Sequence, residues 1–258
     1  MFSKLYNAFQ LIRKGHFVVF LKELQNRIYS NSVSFGLQRD LKNEFHASSA
    51  KITIQIRTLR TEELPELLDT SSDPTISPRI VAGQRAMVKA NIPICYVAVT
   101  VEDKPCYMQW LIGYDDNQKI KDYFKGVFPP LKKQEALLEG AYSHPAYRGL
   151  RIMPNAMALI AEKAANINAR WVNTFVDVTN IPSLKGCQRS GFEPYLIRKD
   201  RWFLFRRSIT FHPLSEAMMN MFYSVTDSER FKIGNNQNTS LPKQNEMMVN
   251  TLETKISE

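Results

Sequence analysis

One stretch constrains the chain more than any other: a strand that breaks at a proline and re-forms as a helix, over residues 134–168. Ala136, Leu138 and Gly140 alternate against Leu137, Glu139 and Ala141, which predicts a strand. His144-Pro145 interrupts it and Arg148-Gly149 turns the chain. Beyond the turn, Met153, Ala156, Met157, Ile160 and Ala164 recur at steps of three and four, the spacing of an amphipathic helix. A strand entering a helix through a basic, glycine-bearing turn is suited to anions. The first helical N–H groups have no partner inside the helix, and the helix dipole favours a negative guest there.

The rest of the composition bounds what that anion can be. A formal charge of +9 over 258 residues suits a phosphate-rich cofactor, a nucleic acid or an acidic membrane surface, and equally a protein that is merely basic. Nucleic acid is disfavoured, because the lysines are dispersed and no recognition motif accompanies them. Cys95, Cys106 and Cys187 contain no paired spacing and argue for a reducing, cytoplasmic location without structural disulfides. The four histidines are scattered, so no metal site is expected. The apolar run 17–21 is far short of the ~20 residues that cross a bilayer.

Three regions are expected. Residues 1–50 read as a basic amphipathic helical arm and a polar connector. Phe2, Leu5, Tyr6, Phe9 and Ile12 share one helical face, with Lys4, Arg13, Lys14, Lys22 and Arg27 around them. Residues 1–30 fit either peripheral attachment to an anionic membrane or docking on the protein's own core. Residues 51–223 read as a mixed α/β domain, and the polar stretch 224–258 as a disordered tail.

Within the domain, Lys51–Arg57 alternates as a first strand, Thr61 is placed to cap a short helix, and Ser77-Pro78 opens another. Strands 94–101 and 106–114 form a hairpin, followed by an insert over 115–133 that carries Lys and aromatic residues. After the strand-turn-helix come a strand at 171–177 and a helix at 181–189. The last strands of the domain form a hairpin turning at Lys199-Asp200, with Trp171 and Trp202 read as core. The strands on either side of the 152–164 helix make a βαβ unit and are therefore expected to be parallel.

Two motifs in this order resemble the GNAT superfamily of acyl-CoA-dependent N-acyltransferases. His144-Pro145-Ala146-Tyr147-Arg148-Gly149-Leu150-Arg151-Ile152-Met153 looks like that family's diphosphate loop, and Asn180-Ile181-Pro182-Ser183 through Cys187 to Gly191-Phe192 looks like the helix flanking its pantetheine arm. The resemblance covers roughly residues 51–211. It implies a GNAT-like α/β fold whose mixed central sheet has splayed fourth and fifth strands, 135–143 and 171–177. It also implies acetyl-CoA, or another acyl-CoA, as co-substrate.

By the same resemblance, Ala141, Tyr142 and Ser143 offer backbone groups to the pantetheine. Arg148, Gly149, Leu150, Arg151, Ile152 and Met153 form the diphosphate loop, and Asn180 and Ser183 flank the arm. Glu139 stands where many relatives carry the base that deprotonates the amine, with Glu135 as the other acid on that strand. Cys187 replaces the tyrosine that protonates the leaving thiolate, and is either that acid or a small buried residue. Arg151 replaces a glycine, and either reaches the phosphates or crowds the loop. The implied activity is acyl transfer, acetyl in the first instance, to a primary amine on a small molecule or a protein. The alternative is a non-catalytic acyl-CoA-binding or membrane-associated module.

Overall fold

Two parallel strands at the centre of one large sheet start side by side and then part, and the rest of the molecule is arranged around that opening. The computed structural model describes residues 25–226. In chain order these contain β1 (Tyr29–Asp40), β2 (Gln55–Thr58), α1 (Leu64–Leu67), α2 (Pro78–Lys89), β3 (Cys95–Val99), β4 (Pro105–Gly113) and α3 (Asn117–Phe124). They continue with β5 (Glu135–Ser143), α4 (Ile152–Glu162), β6 (Trp171–Asp177), α5 (Ile181–Gln188), β7 (Glu193–Phe203), β8 (Arg206–Pro213) and α6 (Glu216–Thr226). The eight strands lie in the order β2-β3-β4-β5-β6-β1-β7-β8. The β5–β6 pair is parallel and the other pairs are antiparallel.

Both faces of the sheet are covered over its central strands. On one, Ile152, Ala156, Met157 and Ile160 of α4 pack with Leu184 and Cys187 of α5 and Phe222 of α6 against Tyr107, Leu138 and Val172. On the other, Leu67, Met87 and Ile120 bring α1, α2 and α3 onto Val97, Trp110, Ile112 and Leu137. A central strand covered on both sides has no solvent face, which is why Cys106 to Ile112 is buried at every position.

The largest departure from expectation is β1. The supposed connector is a twelve-residue strand inserted between β6 and β7, so the sheet domain begins well before residue 51. Its polar composition hides a period of two: Val33, Phe35, Leu37 and Arg39 are buried on one side, while Ser34, Gly36 and Gln38 alternate with them.

The last hairpin also differs. It turns at Leu204-Phe205 and not at Lys199-Asp200, because β1 supplies a partner along the whole of β7, from Tyr29↔Phe203 to Gln38↔Glu193. The tryptophan of the core is Trp110, whereas Trp171 and Trp202 keep partly exposed edges, each beneath an arginine. The insert contains α3, whose Asn117 side chain bonds both the N–H and the C=O of Leu131 at 2.8 Å. Helix α6 carries order through Thr226, past the expected start of the tail. Most of the arm (residues 1–24) and of the tail (residues 227–258) lies outside the described residues. Among the described residues, no helix is long and apolar enough to cross a membrane.

Candidate active site

β5 and β6 pair only at Glu135↔Trp171, Ala136↔Val172 and Leu137↔Asn173. The reason they part is visible on the other edge of β5. Its register with β4 slips between Met108↔Tyr142 and Trp110↔Glu139, leaving an extra β5 residue, a bulge, at Gly140-Ala141. Gly140 adopts φ +67, which a residue with a Cβ reaches only at a cost. The bulge bends β5 away from β6, so the backbone from Glu139 to Ser143 has no strand on its β6 side.

A cavity of about 190 Å³ fills the gap. Its walls include Glu139 and Ala141 from β5, Met157 from α4, Asp177 from β6, and Asn180 and Cys187 from the following turn and helix; Met153 and Ser183 complete them. Residues named from the two sequence motifs thus meet in one place. Tyr142 alternates away, its ring buried on the α2 face and its hydroxyl without a partner. Arg148 to Ile152 lie at the α4 end, outside the cavity wall.

Glu139 is the ionisable group best placed for chemistry. It retains some exposure, yet burial pushes its carboxyl up to about 7, against the opposing pull of a backbone N–H bond at Gly140 and the charge of Arg198. Glu135 is occupied otherwise: its Oε2 accepts from the Lys132 N–H at 2.8 Å. Cys187 is fully buried, its Sγ 3.8 Å from the Met157 sulfur, and burial raises its thiol to about 12. Asn180 caps α5, its Oδ1 accepting from the Ser183 N–H at 3.3 Å. His144 is a turn residue, with Nδ1 accepting from the Ala146 N–H.

The loop at the start of α4 explains the glycine that the resemblance led one to expect. Arg151 is the residue before the helix and sits at φ 58, ψ 26, in the left-handed region. An arginine there pays about 1 kcal/mol that glycine does not. Pro154 removes one N–H from the first turn. The donors left for an anion are the backbone N–H groups around Gly149 to Met153, together with the two arginines. Of these, Arg148 is already paired with Asp73 at 2.8 Å. Nothing lies within 4 Å of where a Cβ on Gly149 would project, so the loop is open on that side.

Phe175 lines the cavity and was not singled out in the sequence; Phe128 and Arg198 pack against it from outside the cavity wall. The Arg198 guanidinium stacks 5.7 Å from the Phe128 ring centroid and 5.2 Å from that of Phe175. It donates to the Val127 carbonyl and to Ser34 Oγ, while its Nε is buried without a partner. Among the described residues, no carboxylate lies within ion-pair distance of it. The signal was an arginine next to the buried Ile197 in a strand, on the alternate face.

The defining features of this fold are a sheet that opens between two parallel strands and a helix N-terminus at one end of the gap, with the partly buried Glu139 inside it. Solved structures agree on the fold, which is that of the GNAT acyltransferases. The glucosamine N-acetyltransferase region of a fungal multi-domain β-N-acetylglucosaminidase is similar with a TM-score of 0.50 and 12% identity, over 73% of this chain and 22% of that one. A GNAT-family acetyltransferase from Colwellia psychrerythraea is similar with a TM-score of 0.43 and 12% identity, over 74% and 59% of the two chains. For a GNAT-family acetyltransferase from Brucella melitensis, solved in complex with acetyl-CoA, the values are 0.36 and 12%, over 51% and 80%. The chain therefore spans less than two thirds of the length of the first two. No protein-family model matches the sequence, and no curated protein matches it.

Proposed function

We propose that this chain transfers an acyl group, acetyl in the first instance, from an acyl-CoA to a primary amine. The observation that carries the proposal is the carboxylate of Glu139 facing the opened strands beside the Gly140 bulge. The residues present fit a CoA thioester. The unpaired β6-side edge of Ala141 to Ser143 can take the pantetheine amides as an added strand. The α4 N-terminus, Gly149 to Met153 and Arg151 can hold the diphosphate.

The thioester supplies an activated acyl carbon. Glu139, directly or through water, takes the proton of the attacking amine as the C–N bond forms and the C–S bond breaks. Backbone N–H groups at the bulge polarise the carbonyl. The sulfur departs beside α5. A Cys187 thiol near 12 is a poorer acid than the ordinary thiol it would protonate, at ~8.5. We therefore assign Cys187 to the wall, and the proton to solvent. On the acceptor side, the charge of Arg198, which acts on Glu139 and has no carboxylate of the described residues within ion-pair distance, favours an amine that also carries a carboxylate or phosphate.

The rival reading, an acyl-CoA-binding module without turnover, draws on the strained Arg151 and the buried Cys187. Thermal shift with acetyl-CoA, followed by thiol release with a panel of amines, separates the two. Stabilisation together with thiol release that depends on both amine and Glu139 supports the enzyme. Stabilisation without release supports the module, and no shift at millimolar ligand removes both.

A further inference from the structure

The tip of the β7–β8 hairpin is built in a way that neither the fold nor the active site requires. Its two turn residues, Leu204 and Phe205, have φ 46 and 66, the positive pair of a type I′ turn that asparagine and glycine normally occupy. Bulky side chains are strained there and gain little in packing: Leu204 is 60% exposed and Phe205 55%, with Phe203 beside them at 52%. Ile28 and Tyr29 are exposed beside them, because the Leu204 and Phe205 N–H groups bond the carbonyls of Ile28 and Arg27 at 2.8 Å. Half of the exposed large apolar side chains of the described residues are gathered at this one tip.

The surroundings of the tip are cationic. Arg27, Arg201, Arg206 and Arg207 border it; Arg201 stacks on Phe203, and Arg27 and Arg207 on Trp202. The nearby acid on β7, Asp200, is held by Arg207.

An apolar point ringed by arginines is the arrangement that enters the headgroup region of an anionic bilayer: the side chains bury in the acyl boundary while the guanidinium groups meet lipid phosphates. We propose that the Phe203–Arg206 tip is a lipid-insertion point, and that it holds the protein on an anionic membrane surface. A protein partner fits less well, since the rim offers cations almost alone and specific protein interfaces mix both signs.

Co-sedimentation of the full chain with vesicles of phosphatidylcholine, with or without about one third phosphatidylserine, tests this. The informative variant is Leu204→Asn with Phe205→Gly, which installs the residues that the turn prefers and so leaves the fold intact or more stable. The wild type is expected to pellet with the anionic vesicles and much less with the neutral ones. The variant should pellet roughly fivefold less, at an unchanged or higher Tm. Arg201→Gln with Arg206→Gln should weaken pelleting and flatten its salt dependence. Wild type that stays in solution with both vesicles would overturn the proposal and return the patch to a protein partner. A turn variant that pellets as well as wild type would overturn it too, and would leave residues 1–24 as the anchor.

Discussion

Gly140 lies so close to Trp110 that a Cβ placed on it would stand 2.8 Å from Cε3 of the indole and 3.2 Å from the sulfur of Met87. The bulge that opens the sheet therefore depends on a glycine for two reasons, its positive φ and the absence of a side chain. Gly140→Ala is expected to cost about 2–4 kcal/mol, the sum of left-handed strain and overpacking. Urea unfolding measures this. If the bulge relaxes to relieve the clash, β5 and β6 should pair further along, and acyl-CoA affinity should fall with stability.

Glu139 makes a prediction whose sign is fixed by linkage. Its carboxyl has a normal value of 4.5 and is raised to about 7 in the fold. Between these values the unfolded chain is ionised while the native one still holds the proton. The native state therefore loses stability as pH rises through this window. Glu139→Gln removes the effect, so the variant should match wild type below about pH 4.5 and exceed it by about 3 kcal/mol above pH 7. Turnover should move the opposite way. The wild-type rate should climb with pH to a plateau just above 7, and the variant should be slower by about 10²–10⁴-fold, with that limb gone.

Cys187 is assigned to packing. Cys187→Ala should lower stability by about 1 kcal/mol, since a buried sulfur is lost from beside Met157. It should leave kcat within a few-fold. A fall of a hundredfold in kcat with KM unchanged would instead restore the cysteine as the proton donor.

Arg151 separates the needs of the backbone from those of the ligand. Arg151→Gly relieves the left-handed strain and should raise stability by about 1 kcal/mol. It also removes one cation from the diphosphate loop, so acyl-CoA affinity should fall about 5–10-fold at low salt, with a smaller deficit at high salt. Tighter binding by the variant would mean that the arginine obstructs the loop.

What could be read in the sequence was the local chemistry of single elements. The strand–turn–helix at 134–168 carries its own periodicity, its proline and its glycine, and Ser77 is a helix cap that announces itself. β1 was missed because its buried residues are spaced among serines and a glycine, and its partners, β6 and β7, lie more than 130 residues downstream. The same long-range pairing extended β7 past the polar Lys199-Asp200. Of the residues named from the two motifs, Met153, Asn180, Ser183 and Cys187 line one cavity because the start of α4 and the start of α5 meet at the gap between β5 and β6. Arg198, Phe128 and Phe175 were not legible, because they meet only when β7, the α3 insert and β6 are placed side by side.

Arg198 affords the last test, and the one that identifies the acceptor. Its charge lowers the Glu139 carboxyl against burial, so removing it should raise that group further. In Arg198→Gln the ascending limb of the pH–rate profile should shift to higher pH, with the plateau still reached. If the guanidinium also receives the anionic group of the acceptor, KM for amines bearing a carboxylate or phosphate should rise about 10-fold or more, as loss of a charge-assisted pair implies. KM for neutral amines of similar size should hardly move. A pH shift with no discrimination between the two amine classes would confine Arg198 to tuning Glu139. Discrimination with an unshifted profile would confine it to the substrate. The packing of its guanidinium against Phe128 and Phe175, which also touch each other, is the reason to expect both effects, because it fixes the cation where its charge acts on Glu139.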